Sequence, residues 1–187
     1  MERLKYNFEE LVHKCVKRDN DARKRVYDLF SAQMFSICLR YTKNKSQAED
    51  IFQDAFLKVF ENIGQLKNPE ALPGWIKMIF VRTAINFIQG EVKFDSTDLS
   101  VVEKREFFDN DILNEISLKE IEALIKRLPT KSGMVFNLYV IEGYSHQEIA
   151  DLMGISVGTS KSQLFDAKQL LKKELIKFNK PLLKVVV

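Results

Sequence analysis

The chain has 187 residues, of which 45% are hydrophobic and 29% charged, and its formal net charge is +3. This apolar content excludes a wholly disordered chain, because it is enough for one ordinary core or two small ones. With only seven glycines and four prolines, the composition disfavours a turn-rich β fold and predicts an all-α protein.

The first two predicted helices carry apolar residues at helical spacing. One covers residues 22–41, and the next begins where Ser46 and Glu49 have the spacing of a capping box. The buried stripe of the second helix consists of Ala48, Ile51, Phe52, Ala55, Phe56, Val59, Phe60 and Ile63. The face left over is formed by Glu49, Asp50, Gln53, Asp54 and Leu57.

A third helix is predicted from Trp75 to about Ile88. It follows a loop at 65–74, which begins after Gly64 and contains Pro69 and Pro73. The inner stripe of this helix is Ile76, Ile79, Phe80, Thr83 and Phe87, and its polar face is Arg82, Asn86 and Gln89. We therefore predict a first helical domain at residues 1–90.

Helical periodicity fades in residues 91–112, where acidic residues outnumber basic ones. This composition is typical of a linker, and about 22 residues can extend to roughly 75 Å. Two apolar pairs, at 101–102 and 107–108, indicate that parts of the linker dock on a surface or form a short helix. The segments on either side, 1–90 and 113–187, are mildly basic, so the charge alternates along the chain.

The second domain, residues 113–187, is predicted to end in a helix-turn-helix. Before it, Ser117 and Glu120 have capping-box spacing, Pro129 stops that helix, and Thr130 is suited to cap the next one. Residues 144–171 contain the four local features of this motif in the correct order and spacing. They are a capping box at Ser145, a small Ala150, a tight turn at Gly154 and a second cap at Ser156. An ordinary helical pair is the alternative. Outward positions suited to a major groove are Thr159, Ser160, Lys161, Ser162 and Phe165.

Several functional classes are disfavoured by what the motifs lack. Cys15 and Cys38 lie in apolar helical patterns, which predicts reduced, buried thiols, and the two histidines have no metal-ligand spacing around them. The sequence shows no signal-peptide pattern and no uncharged stretch of membrane-spanning length, so we expect a cytoplasmic protein without membrane insertion. It also shows no phosphate loop and no catalytic array, which disfavours an enzyme.

The chain resembles the sigma-70 family of bacterial transcription initiation factors, in its small extracytoplasmic-function (ECF) group, over nearly its whole length. The segment AEDIFQDAFLKVF at 48–60 matches the region 2 signature, and GWIKMIFVRTAINFI at 74–88 resembles the helix that follows it. Residues 128–164 resemble region 4. The resemblance implies an all-α fold of a region 2 bundle and a region 4 helix-turn-helix joined by the acidic linker, with no cofactor and no catalytic site.

The resemblance also implies partners and residue roles. The partners are core RNA polymerase, promoter DNA and, in many family members, an anti-sigma protein. A coiled coil of the largest polymerase subunit would bind Asp50, Gln53, Asp54 and Leu57. The −10 element, with a flipped base at the 65–74 loop, would contact Asn68, Trp75, Lys77, Arg82 and Asn86. The −35 element would contact Ser156, Thr159, Ser160, Lys161, Ser162, Gln163, Phe165, Asp166 and Lys168.

This chain departs from the family at several of these positions. Arg82 stands where the family carries an asparagine, and Gln163 and Asp166 stand where arginines are frequent. The expected −35 face is therefore less cationic than is usual in the family. Asp166 either accepts a hydrogen bond from cytosine N4 or is a plain surface residue.

The main alternative function is a stand-alone helix-turn-helix regulator, whose N-terminal helices would serve dimerisation or sensing. It would bind DNA without polymerase, whereas the resemblance implies binding within the holoenzyme. The acidic linker, including Asp95, Asp98, Glu103 and Glu106, would suit a basic nucleic-acid channel of the polymerase. For the apolar C-terminal tail, core packing, a docking strand and disorder stay open.

Overall fold

The computed structural model describes residues 7–42, 44–95 and 118–177, and this part of the chain consists of helices and connecting turns without a strand. The all-α prediction is confirmed. The chain divides into two compact units, Met1–Phe94 and Asp95–Val187. The domain limits at 90 and 113 stay predictions, because the predicted linker beyond Asp95, the Ser117 cap and the tail after Lys177 lie outside the described residues.

The described part of unit 1 begins with a helix whose limits were not predicted from the sequence. This helix, α1, covers Phe8–Val16, and Asn7 caps it by accepting a hydrogen bond from the Glu10 amide at 3.0 Å. It is followed by α2 (Asn20–Tyr41), which Asp19 caps, by α3 (Lys45–Asn62) and by α4 (Leu72–Asp95). Short 3-10 turns at Ile63–Gln65 and Pro69–Ala71 connect α3 to α4.

The starts of α3 and α4 differ from the prediction. Asn44 caps α3, because its Oδ1 accepts from the Gln47 amide at 2.9 Å, so the capping box predicted at Ser46 is wrong. Asparagine is as good an N-cap as serine, and it comes two residues earlier. The predicted loop at 65–74 is shorter than expected, since α4 already begins at Leu72. Pro73 fits its first turn, where a backbone donor is not needed.

The core of unit 1 is strongly aromatic. The Phe56 ring lies 5.0 Å from Phe80 and 4.9 Å from both Phe52 and Tyr27, measured between ring centroids. Cys15 and Cys38 are buried free thiols, and burial raises the pKa of Cys38 to about 12. Both cysteines therefore act as small apolar core residues, as predicted.

The stretch Pro69–Gly90, which joins the Pro69–Ala71 turn to most of α4, is long and apolar enough to cross a membrane by length and composition alone. However, Leu72, Ile76, Phe80, Val81, Ala84 and Ile85 on it are fully buried inside unit 1. A core helix passes the same test, so this stretch is weak support for a membrane span.

Unit 2 contains α5 (Leu118–Lys126), α6 (Thr130–Phe136), a π-helical turn at Asn137–Ile141, α7 (His146–Met153) and α8 (Val157–Lys177). Thr130 is the first residue of α6 and not its cap, which corrects the prediction. The Pro129 carbonyl accepts from the Gly133 amide at 2.8 Å and so starts the helix. Tyr139 and Ile141, on the π-helical turn, are exposed.

The turn between α7 and α8 has the predicted local chemistry. Ser145 and Glu148 form the reciprocal capping box, and Gly154 has a φ of 65° in the left-handed region, where glycine is favoured. Ser156 Oγ accepts from the Thr159 amide at 2.9 Å. Ile149, Ala150, Leu164 and Ala167 are buried between the helices. A helix-turn-helix is therefore present.

Candidate functional site

The first candidate surface is the outer face of α3, formed by Asp50, Gln53, Asp54 and Leu57, all of which are exposed. At 3.6 residues per turn, these positions share one face. Leu57 is 62% exposed, a large apolar side chain without cover in an otherwise polar surface. Glu61 is also exposed, one turn beyond Leu57, and the sequence analysis missed it because it ended the face at Leu57.

The charges on this face are only weakly engaged within the chain. Lys58 Nζ lies 2.7 Å from Asp54 Oδ2, and both side chains are about half exposed. Such i,i+4 pairs on a helix surface contribute only a few tenths of a kcal/mol. The Asp54 carboxylate can therefore exchange its lysine for a basic group of a partner at little cost.

The second candidate surface combines the turn before α4 with one face of that helix. Asn68 is exposed and caps the short 3-10 turn through Oδ1, which accepts from the Glu70 amide at 3.1 Å. Along α4, Trp75, Arg82 and Asn86 share a face because they are seven and four residues apart. Arg82 and Asn86 are exposed, whereas Trp75 is half-buried. Met78, which the sequence analysis did not single out, lies on the same face and is exposed.

The structure does not bring Lys77 to this surface. Lys77 lies nine residues before Asn86, which is about two and a half helical turns, so the two side chains leave α4 on opposite sides. Its side chain is half-buried. The α4 face therefore has one cation, Arg82, among the predicted −10 residues, and Lys77 belongs to a different side of the helix.

The third candidate surface is the outer face of α8. Thr159, Lys161, Ser162, Phe165 and Asp166 are exposed there, and Phe165 is 61% exposed. Gln169 extends the same face by one turn and is exposed, although it lies beyond the predicted set, which ends at Lys168. This face combines hydrogen-bonding groups, one lysine and one aromatic ring, which suits contacts with base edges and the thymine methyl group.

Ser160 does not belong to this face, which corrects the prediction that it points outward. It is 0% exposed, and its Oγ lies 2.9 Å from Nδ1 of His146 on α7. Seven residues separate Ser160 from the fully buried Ala167, so both lie on the inner side of α8. The side chain is short and polar in the sequence, but the packing of α8 directs it inward.

Three further predicted −35 residues are partly engaged within unit 2. The Ser132 hydroxyl donates to Gln163 Oε1 at 2.7 Å, so Gln163 faces α6. Ser156 caps α8 and is exposed, while Lys168 is half-buried.

Burial, with Lys161 and Lys168 nearby, lowers the pKa of His146. His146 is therefore neutral near pH 7, and Lys161 is the exposed cation of the α8 face among the predicted residues.

Within the described residues, no group of histidine, cysteine and acidic side chains could hold a metal ion. A cavity of about 520 Å³ lies between α1 and α2 and is lined by charged groups such as Glu10, Lys14 and Arg25. Glu10 and Lys14 form an ion pair with each other at 2.6 Å. Two of the lining charges therefore already pair with each other, and we assign the cavity no ligand.

Comparison with known proteins identifies relatives of both units. A family model described as "Sigma-70 region 2" matches residues 26–93, and one described as "Sigma-70, region 4" matches residues 118–171. The RNA polymerase sigma-H factor of Pseudomonas aeruginosa is 28% identical over 183 residues, covering 89% of this chain and 95% of that protein. The ECF RNA polymerase sigma-E factor of Escherichia coli is 27% identical over 173 residues, covering 86% and 90%.

Two solved structures share the fold. The sigma factor RpoE from Bartonella quintana, solved with the anti-sigma factor NepR, has a TM-score of 0.57 at 18% identity and covers 82% of this chain and 96% of its own. CnrH, solved with the cytosolic domain of CnrY, has a TM-score of 0.53 at 16% identity and covers 89% and 96%. At this identity the likeness concerns the fold alone.

Proposed function

The chain belongs to the sigma-70 family as a promoter-specific transcription initiation factor of the ECF group, and from this premise we propose how its three surfaces divide that function. Unit 1 binds core RNA polymerase and the −10 element, and unit 2 binds the −35 element. The protein acts in the cytoplasm and supplies recognition, while the polymerase supplies the chemistry.

The observation that carries this proposal is the α7–α8 pair. A second helix with a row of exposed polar, basic and aromatic side chains, held by a capped tight turn, is the arrangement that places a helix in the major groove. Lys161 would contact a phosphate, whereas Ser162, Phe165 and Asp166 would face base edges. Ser160 and Gln163 are withdrawn from direct contact, since both have partners inside unit 2.

The α3 face would bind the polymerase. Its apolar Leu57, surrounded by Asp50, Gln53 and Asp54, has the anatomy of a binding hot spot, an apolar anchor inside a polar rim. Its acidic groups suit a basic partner, in keeping with the coiled coil of the largest subunit that the family uses.

The surface of Asn68 and α4 would bind the −10 element as a single strand. Trp75 and Met78 offer apolar surface for a base, and Arg82 offers charge to the backbone. The short turn at Pro69–Ala71 restricts the loop, which lowers the entropy lost when a base is captured. Asn68 caps that turn, so its Nδ2 amide would be the group that meets a base.

We also propose that an anti-sigma protein silences this factor by covering the polymerase face. Leu57 is exposed in the free chain, and an apolar anchor of this kind suits an inhibitor as well as the polymerase. The solved relative RpoE is in complex with an anti-sigma factor, which supports the idea without identifying a partner for this chain.

Run-off transcription with core polymerase on a promoter library tests the proposal. We expect transcripts only when the chain is added, with enrichment of two separated sequence elements. A gel shift of the purified chain alone distinguishes this function from that of a stand-alone regulator, because such a regulator would bind an operator tightly without polymerase. Tight operator binding combined with failure to bind core polymerase would overturn the proposal.

A further inference from the structure

His146 bridges the two helices of the helix-turn-helix. It is the first residue of α7, and its Nδ1 lies 2.9 Å from the Oγ of Ser160, in the first turn of α8. Tyr139, from the π turn, stacks on the imidazole with ring centroids 4.5 Å apart and an interplanar angle of 23°. The imidazole is thus held from two directions.

Ser160 depends on this contact because its hydroxyl is fully buried. The large majority of buried side-chain polar groups in proteins have a hydrogen-bond partner. Without His146, the hydroxyl would turn to a backbone carbonyl one turn earlier on α8 or draw water between the helices. Either change would move the first turn of α8 relative to α7.

The residues that follow Ser160 are those proposed to meet the −35 element. Lys161 and Ser162 come directly after it, and both are exposed. Any rotation or shift of this turn displaces their side chains by the same motion. A displacement of about 1 Å is enough to spoil hydrogen bonds to base edges, whose donor and acceptor must lie about 3 Å apart.

We propose that His146 is a positioning residue for −35 recognition, which fixes the first turn of α8 through Ser160 while Tyr139 holds the imidazole. This inference rests on the proposed −35 role of unit 2. His146 itself need not touch DNA. The hydrogen bond between Nδ1 and Oγ can form in either direction. In a neutral imidazole Nδ1 is a donor or an acceptor depending on the tautomer, and a hydroxyl can be either.

The test uses holoenzyme assembled with the full-length factor. Binding is measured on two promoters that share a −10 element and differ in an intact or scrambled −35 element. The quantity of interest is the ratio of the two affinities. His146→Phe keeps a ring to stack on Tyr139 but removes the hydrogen bond, and Ser160→Ala removes its partner. His146→Asn places a polar amide atom close to the position of Nδ1.

We expect His146→Phe and Ser160→Ala each to lower the ratio by about threefold to tenfold, the loss of one hydrogen bond. The double variant should lose no more than either single variant, since both remove the same contact. His146→Asn should keep the ratio within about twofold of the unchanged factor. Gln147→Ala, an exposed neighbour whose side chain is bonded to Asp151, is the matched control and should leave it unchanged.

Circular dichroism on each variant ensures that folded proteins are compared, and Ser160→Ala is the substitution least able to disturb folding. Equal losses on both promoters, or additive losses in the double variant, would overturn the positioning role. If the unchanged holoenzyme did not distinguish the two promoters, the −35 function of unit 2 would itself be refuted, so the two failures are distinguishable.

Discussion

The Ser132 hydroxyl donates a hydrogen bond of 2.7 Å to Gln163 Oε1, linking α6 to α8. The two residues are 31 positions apart in the chain. This hydrogen bond and the one between His146 and Ser160 hold two polar side chains of α8, Gln163 and Ser160, toward the inside of unit 2. The outer face of α8 is consequently narrower than its sequence indicates.

Gln163 is therefore predicted to contribute to stability and not to base preference. Gln163→Ala should lower the free energy of unfolding of unit 2 by about 1 kcal/mol, the net value of one hydrogen bond. Chemical denaturation followed through unit 2 measures this, and Gln169→Ala, on the outer face, should cost much less. A changed −35 preference in Gln163→Ala at unaltered stability would contradict the assignment.

Leu57 is predicted to be the anchor of the polymerase interface. Leu57→Ala should weaken binding to core polymerase about tenfold or more, as truncation of a hot spot does. Its folding stability should hardly change because the side chain is 62% exposed. Titration of labelled factor with core polymerase provides the affinity. Val16→Ala is the control, since Val16 is a similarly exposed apolar residue on α1.

Asp166 is predicted to read a cytosine in the −35 element. Asp166→Ala should then relax the preference at one base position by about 1–3 kcal/mol, and leave the other positions unchanged. Selection of bound sequences from a randomised −35 element detects this. If affinity instead rose evenly for all sequences, Asp166 would be a plain surface carboxylate that repels phosphates. Glu122→Ala, which removes an exposed carboxylate on α5, is the charge-matched control.

Two glycines of the helix-turn-helix are predicted to respond oppositely to alanine. Gly154 has a φ of 65°, so Gly154→Ala should cost about 1–2 kcal/mol through backbone strain. Gly158 lies in the first turn of α8, where a Cβ would meet Ser156 Oγ at an ordinary 3.6 Å. Gly158→Ala should therefore stabilise unit 2 by about 0.5–1 kcal/mol. Thermal unfolding of both variants measures the two changes in stability. If both variants were stabilised or both destabilised, the predicted opposite response of the two glycines would be refuted.

Unit 2 is predicted to lose stability as the pH falls below about 6.5. Burial and the charges of Lys161 and Lys168 lower the pKa of His146, so the unfolded chain binds a proton at a pH where the folded chain does not. The contribution of neutral His146 to stability is complete above its pKa in the unfolded chain. It is lost as the pH falls toward its lower pKa in the folded chain.

His146→Asn should remove this pH dependence between about 7 and 5.5, a range above the titration of ordinary carboxylates. The single tryptophan, Trp75, lies in unit 1, so its fluorescence reports the other unit and serves as the internal control. The NMR amide signals of α7 and α8 report the folded fraction of unit 2. An unchanged pH profile in His146→Asn would assign the effect to another group.

Sequence reasoning succeeded best where a helix end is decided within four residues. The capping box at Ser145, the left-handed turn at Gly154 and the cap at Ser156 are local arrangements, and the structure confirms each. It failed where two local signals compete. Asn44 precedes Ser46 as a cap, and the carbonyl of Pro129 starts α6 ahead of Thr130. Neither pattern by itself says which signal prevails.

The candidate surfaces divide along the same line. The α3 face follows from helical period, because Asp50, Gln53, Asp54 and Leu57 lie opposite an unbroken apolar stripe. The predicted −10 set contains Lys77, which the course of α4 directs away from Arg82 and Asn86. Glu61 and Gln169 lie one turn beyond the ends of their predicted surfaces, so counting one turn further would have found them. Met78 lies between Trp75 and Arg82 on the α4 face, and the search for polar groups passed over it because it is apolar.

The sequence by itself determined that the chain is helical, that it has two helical regions and that the second ends in a helix-turn-helix, because these depend on period, caps and turn chemistry. The inward position of Ser160 follows from helical period, since Ser160 lies four and seven residues before the buried Leu164 and Ala167. Only the tertiary structure decided the partners, which are His146 on α7 for Ser160 and Ser132 on α6 for Gln163. The physical reason is that contacts between helices distant in the sequence are set by the packing of α8 against α6 and α7, which no local pattern encodes.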